Sequence, residues 1–177
     1  LNVIAIADIA VLVVEPGAEK AIAATRAMKE LDRAGLPYIL FINKMDGIEA
    51  RVKATLEALQ GLTERPLVLR EIPIREGDDV TGHVDLVSER AYKWSGSGKS
   101  DLIEVPGELS GRTGEERTLL LETLADFNDE LLEQLLEDVM PGTEDVYQNL
   151  GKDLQDGAIV PVFFGSAENE SGIMRPM

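Results

Sequence analysis

Tyr38-Ile39-Leu40-Phe41-Ile42 is a continuous apolar run that stops abruptly at the polar string Asn43-Lys44-Met45-Asp46. An apolar run without alternation reads as a strand buried on both faces, the habit of a parallel sheet covered by helices. Upstream, Ile9-Ala10-Val11-Leu12-Val13-Val14 is a second such run, closed by Pro16-Gly17. Between the two, Ile22, Thr25, Met28, Leu31 and Leu36 keep the three-to-four spacing of a helix packed on a sheet, and Gly35 ends it. Strand, helix and strand within about 30 residues form a βαβ unit, parallel and right-handed. Downstream, Val52, Leu56 and Leu59 share one face of a further helix.

The pattern changes near Arg65. Short strand-like pieces broken by glycine and proline follow: Leu67-Val68-Leu69, Ile72 to Ile74, Val80 to Val87, Ala91 to Trp94 and Leu102 to Val105. They suit a small antiparallel sheet. A helical stretch carries Leu119, Leu120 and Leu124, then Leu131, Leu132, Leu135, Leu136 and Val139. Pro141-Gly142 breaks it, and Thr143 stands where the N-cap of a last helix bearing Val146, Leu150 and Leu154 is expected. Ile159 to Phe164 is one more apolar strand, ending in Gly165-Ser166-Ala167. The ends of the chain therefore read as α/β and the middle as α+β. An inserted sheet-helix subdomain over 68–157 interrupts a parallel-sheet domain made of 1–67 and 158–177.

Composition sets limits on chemistry. With 33 acidic and 17 basic residues among 177, the net charge of −16 excludes a surface built to clamp nucleic-acid phosphates. The absence of cysteine removes disulfides, zinc-thiolate sites and thiol catalysis, and fits a reducing cytoplasm. The longest apolar stretch, Val3 to Val14, is interrupted by Asp8 and too short to span a bilayer, so no membrane role is expected. Leu1 reads as a cut end within a longer gene.

Asn43-Lys44-Met45-Asp46 lies where open α/β sheets bind their ligands, at the carboxyl end of a strand. Guanine presents N1–H and N2–H side by side, and one carboxylate, Asp46, can accept both. Adenine lacks that donor pair and would leave the carboxylate unpaired, a discrimination on the order of 10⁴ or more. The Asn43 amide can bridge neighbouring loops and reach the N7 edge. The aliphatic stem of Lys44 can lie on the ring face with its ammonium paired elsewhere. Ser166-Ala167 closes another strand, and a small residue there lets a backbone N–H approach O6. The plain alternative for Asn43-Lys44-Met45-Asp46 is a polar turn after a strand.

The first string, the second after a long insertion, and the insert itself resemble elongation factor G. Arg70-Glu71-Ile72-Pro73-Ile74, Gly77-Asp78-Asp79, Gly82-His83-Val84-Asp85-Leu86-Val87, Ala91-Tyr92 and Glu104-Val105-Pro106 occur in the order of that factor's G-prime subdomain. The resemblance runs from about Ala7 to Ser166. It implies part of a P-loop-GTPase-type parallel sheet with an inserted α+β subdomain. It implies GTP or GDP as ligand at Asn43, Lys44, Asp46, Ser166 and Ala167. Mg²⁺, the phosphate loop, the switches and the catalytic histidine would belong to an upstream part of the parent. No catalytic or metal-ligating residue is assigned here, and this chain alone is expected to be inactive. By resemblance the partners are the ribosome and its stalk protein, in the cytoplasm, with a monomer as the default. Where the family has an aromatic or aliphatic residue, then lysine and asparagine, this chain has Glu168, Asn169 and Glu170. A paralogue serving protection, recycling or regulation is the runner-up, and a docking module without nucleotide is the reading from another class.

Some strings look functional and read otherwise. Gly96-Ser97-Gly98-Lys99-Ser100 mimics the end of a phosphate loop, but Lys93 stands where the first glycine is required, so a hairpin loop is expected. Asp126, Asn128 and Glu130 alternate like a calcium loop, yet Leu131 replaces the needed glycine, and helix capping is the better account. His83 is expected in a surface or packing role, and Trp94 in hairpin packing.

Overall fold

The computed structural model describes residues 6–46, 52–96 and 98–173. Four parallel strands form the first sheet: β1 (Ala10–Val14), β2 (Tyr38–Ile42), β3 (Leu67–Leu69) and β8 (Val160–Phe164), in the order β1-β2-β8-β3. Ala10 pairs with Tyr38 and Val14 with Ile42, while Leu40 pairs with Val162 and Leu67 with Val160. β4 (Glu71–Glu76), β5 (Asp79–Asp85), β6 (Arg90–Gly96) and β7 (Lys99–Ile103) form a separate antiparallel meander. The helices are α1 (Ala18–Ala21), α2 (Thr25–Ala34) after a 3₁₀ turn at Ile22–Ala24, α3 (Val52–Gln60), α4 (Gly107–Ala125), α5 (Asp129–Leu136) and α6 (Thr143–Gln155). This is the mixed α/β class with a second, α+β unit set between strands of the parallel sheet.

Each sheet has its own core. Leu40, Ile42, Val162 and Phe164 meet Met28, Leu31, Val52 and Leu59 from the covering helices. Ile72, Val84, Leu86 and Ala91 meet Leu120, Leu121, Leu124, Val146 and Leu150. The cores are not sealed from each other. Val80 and Trp94 of the antiparallel sheet join the first, and Val68 and Ile159 join the second.

Several elements differ from what the sequence predicts, each for a physical reason. Leu67–Leu69 is placed by sequence among the antiparallel pieces, but it pairs in parallel with β8. A three-residue strand is too short for its period to reveal its partner. β1 is not buried on both faces: Val11 is 59% and Val13 57% exposed, because no helix among the described residues covers that side of the edge strand. Ile22 faces solvent and Ala21 and Ala24 face the core, since the 3₁₀ turn shifts the helical phase by part of a turn. Thr143 begins α6 rather than capping it; Gly142 is the N-cap and offers no side chain. Leu132, Leu136 and Val139 lie exposed on and after α5 instead of packing with Leu131.

The readings of the decoy strings fit the geometry. Gly96 pairs with Lys99 across a hairpin, with Ser97 outside the described residues. Asn128 caps α5 by accepting from Leu131 N–H at 3.0 Å. Among the described residues no cluster of ligands suits a metal ion, and no helix is long and apolar enough to cross a membrane.

Candidate functional site

β2 and β8 are neighbours, so the loops leaving their carboxyl ends lie side by side although 124 positions separate Asn43 from Ala167. Backbone bonds stitch the two loops together. Gly165 N–H donates to Ile42 O at 3.0 Å, and Met45 N–H donates to Gly165 O at 3.0 Å. Asn43 N–H donates to Val14 O at 2.8 Å, which draws in the end of β1. The side chain of Asn43 completes the junction: its Oδ1 accepts from Ala167 N–H at 2.8 Å. Met45 is fully buried and anchors the first loop from below. The structure thus brings Asn43, Lys44, Asp46, Ser166 and Ala167 into one rim.

Lys44 adopts a positive φ of 61°, a conformation that costs a side-chain-bearing residue roughly 1–2 kcal/mol. Its ammonium pairs with Glu15 at the end of β1. Lys20 reaches the same carboxylate at 2.8 Å. Lys20 first and then Lys44 hold the Glu15 carboxyl down to about 2, so it is ionised at neutral pH. The lysine stem is therefore tethered across the mouth between β1 and β2. Sequence alone does not single out Glu15. Its only signal there is an acid standing directly after an apolar strand.

The second loop is a tight return. Ser166 and Ser171 exchange backbone bonds at 2.9 Å in both directions, and Asn169 N–H donates to Ser166 Oγ at 3.4 Å. Gly165 and Gly172 make the return possible. A Cβ on Gly165 would stand 2.3 Å from Ser171 O, and one on Gly172 would stand 2.6 Å from Phe164 O. The two backbone N–H groups at Ser166-Ala167, where one is expected to approach O6, are both engaged within the protein, Ser166 with Ser171 and Ala167 with Asn43. A base oxygen arriving at Ala167 N–H therefore shares it with, or takes it from, Asn43 Oδ1.

Asp46 is exposed, and its Oδ2 accepts from Asn169 Nδ2 at 3.2 Å. The Asn169 amide presents a donor to the carboxylate edge that guanine N1–H and N2–H would use. A base bound on that edge would have to displace this contact. Asn169→Ala is accordingly expected to raise guanine-nucleotide affinity roughly two- to fivefold, the worth of one exposed hydrogen bond. Fluorescence titration with a labelled GDP checks this, and an unchanged or weaker affinity rules the competition out.

Comparison with known proteins bears directly on this arrangement. The family model described as "Elongation factor Tu GTP binding domain" matches residues 2–175. The chain is 37% identical over 171 residues to an "Elongation factor G-like protein" of Synechocystis sp., covering 97% of this chain and 25% of that protein. It is 32% identical to "Elongation factor G 2" of Pseudoalteromonas translucida, over 80% of this chain and 21% of the relative. It is 33% identical to "Elongation factor G 1" of Borreliella burgdorferi, with 82% and 21% covered. A crystal structure from Thermus thermophilus superposes with a TM-score of 0.81 at 27% identity, over 97% of this chain and 26% of that one. The chain spans about a quarter of the length of the relatives it matches. With a family match over nearly all of its residues and a relative 37% identical over 97% of its length, the chain belongs to the elongation factor Tu GTP binding domain family, as an elongation factor G-like translational GTPase sequence.

Proposed function

We propose that this chain is the guanine-recognising portion of a GTP-binding translation elongation factor that acts on the ribosome, with the stretch between β3 and β8 as its inserted subdomain. The observation that supports it is the junction of two strand-end loops through Asn43 Oδ1 and Ala167 N–H, with Asp46 beside it. Asp46 takes N1–H and N2–H, the loop at Ala167 meets O6, and the tethered stem of Lys44 covers a ring face. Mg²⁺ and the phosphates are held by other parts of the whole factor, which hydrolyses GTP in the cytoplasm as a monomer. Competition of labelled GDP by GDP and ADP on the whole factor tests the reading. GDP should win by a factor on the order of 10⁴, and comparable displacement by ADP would leave only a docking module.

A second reading has its own support. Identity is higher to the elongation factor G-like protein, 37%, than to the two elongation factors G, 32% and 33%. Asn169 at the rim adds to the departure. The whole factor then keeps the guanine site and serves protection, recycling or regulation; a GTP-dependent translocation assay separates the two roles.

The insert supplies the partner surface. Leu132, Leu136, Val139 and Met140 form an exposed apolar strip on and after α5, with Glu130, Glu133 and Glu137 exposed around it. Apolar anchors inside a charged rim are what a protein partner needs, and the ribosomal stalk protein is the partner proposed. Reversing Glu130, Glu133 and Glu137 to lysine is expected to cut ribosome-stimulated turnover about tenfold at low salt. GDP affinity should stay within twofold of the parent. An equal loss of GDP affinity would mean that the insert forms part of the pocket.

A further inference from the structure

Phe164 is the last residue of β8. Its backbone N–H donates at 2.9 Å to Glu71 Oε1, a side chain from the first strand of the antiparallel sheet, 93 positions away. Glu71 is buried, and its Oε2 lies 3.5 Å from Nε2 of His83, which is also buried. On the far side of the imidazole, Trp94 Nε1 donates to His83 Nδ1 at 3.0 Å. An indole nitrogen can only donate, so Nδ1 must be the acceptor and the imidazole proton must sit on Nε2, on the side of Glu71. From Trp94 to the amide of Phe164 each donor faces an acceptor, although the His83 Nε2–Glu71 Oε2 step is a 3.5 Å approach and not a close hydrogen bond. The indole also packs edge-on to the Phe164 ring, with centroids 6.3 Å apart. Its Cζ2 lies 3.3 Å from where a Cβ on Gly172 would be.

Phe164 and Gly172 flank the return from Gly165 to Ser171, the loop that carries Ala167. The Phe164 end of that loop is thus held by the antiparallel sheet through Glu71 and Trp94, and the Trp94 indole lies beside the Gly172 end. We propose that Glu71 is a positioning residue for the second base-contacting loop, oriented by His83 and Trp94, so that the inserted sheet sets how firmly the loop holds the base. The proposal rests on the guanine-site reading. It requires no contact between the insert and nucleotide. The carboxylate holds the amide of Phe164, this fixes the exit of β8, and the exit fixes Ala167 N–H beside Asn43.

Stopped-flow release of labelled GDP and ribosome-stimulated GTP turnover, both on the whole factor, test it. Glu71→Leu removes the acceptor and is expected to speed GDP release about tenfold or more. The KM for GTP should rise in step, while kcat at saturating GTP stays within twofold. Glu71→Asp, one methylene shorter, is expected to speed release about threefold, and Glu71→Gln, which keeps an oxygen for Phe164 N–H but turns its NH₂ toward His83 Nε2–H, to speed it less, to within about twofold of the parent. A purely structural role predicts the opposite split, a lower kcat from a smaller folded fraction and an unchanged KM. If Glu71→Leu does not fold, Asp against Gln decides the matter. Equal release from the Asp, Gln and parent proteins overturns the proposal. Asp46→Asn runs alongside: if it loses guanine selectivity while the Glu71 variants match the parent, only the positioning role falls. If Asp46→Asn binds GDP like the parent, the guanine reading and this proposal fall together.

Discussion

Asp46→Asn in the whole factor is expected to lower GDP and GTP affinity by about 3 kcal/mol, roughly a hundredfold, and to create a preference for xanthine nucleotides. Of the five residues at the rim, only Asp46 carries a carboxylate that can accept from N1–H and N2–H at once, and both bonds gain from its charge. An amide presents one oxygen and one NH₂, so one of the base's two donors faces another donor. Xanthine carries a C2 oxygen where guanine carries the amine, and that oxygen accepts from the new NH₂. The contact of Asn169 Nδ2 with Asp46 Oδ2 in this structure reduces the net gain from guanine, because one bond is exchanged before two are made. It does not cancel it, since the exchange concerns an exposed neutral donor and the base brings two. Titration with labelled GDP and XDP reads the switch directly. Unchanged GDP affinity would show that Asp46 is a turn residue and that the base lies elsewhere.

What the sequence shows and what it hides divide along a physical line. β2 and β8 are legible because burial writes itself into every residue from Tyr38 to Ile42 and into all but the half-buried Phe163 from Val160 to Phe164. The string Asn43 to Asp46 is informative because it follows such a strand, not because of its four letters. The pairing of β2 with β8 leaves no local mark, since the partners of Leu40 and Phe41 are Val162 and Phe163, beyond the whole insert. Family resemblance, not periodicity, carries that step. β1 misleads for a related reason: Ile9, Val11 and Val13 are as apolar as a covered strand, yet their face is open in this chain. The roles of Glu71, His83 and Asn169 are invisible for the same cause. Each is an ordinary polar residue in a strand or turn, and its meaning comes from partners that only the tertiary fold supplies. His83, expected at the surface or in packing, is buried with its proton position set by Trp94.

The 177 residues expressed alone are expected to fold, to bind GDP no more tightly than about millimolar, and to hydrolyse no GTP. Folding is supported by two filled cores and by four parallel strands in register, although the open face at Val11 and Val13 favours association at high concentration. Weak binding follows from where affinity resides in this class of protein. The triphosphate needs a cradle of backbone N–H groups, a lysine and a magnesium ion. No GxxxxGK(S/T) string occurs in these 177 residues, because Lys93 stands at the first glycine of the one partial match. That match, Gly98-Lys99-Ser100, lies at the tip of the β6–β7 hairpin, in a meander and not between a strand and a helix. What remains is the base edge. Its hydrogen bonds contribute about 0.5–3 kcal/mol each, and they must first displace Asn169 and share Ala167 N–H with Asn43. Association costs at least several kcal/mol more in lost translational and rotational freedom. Calorimetry with GDP and GTP, beside a phosphate-release assay, measures both claims. Micromolar binding or any turnover would make the β6–β7 hairpin a phosphate site in its own right.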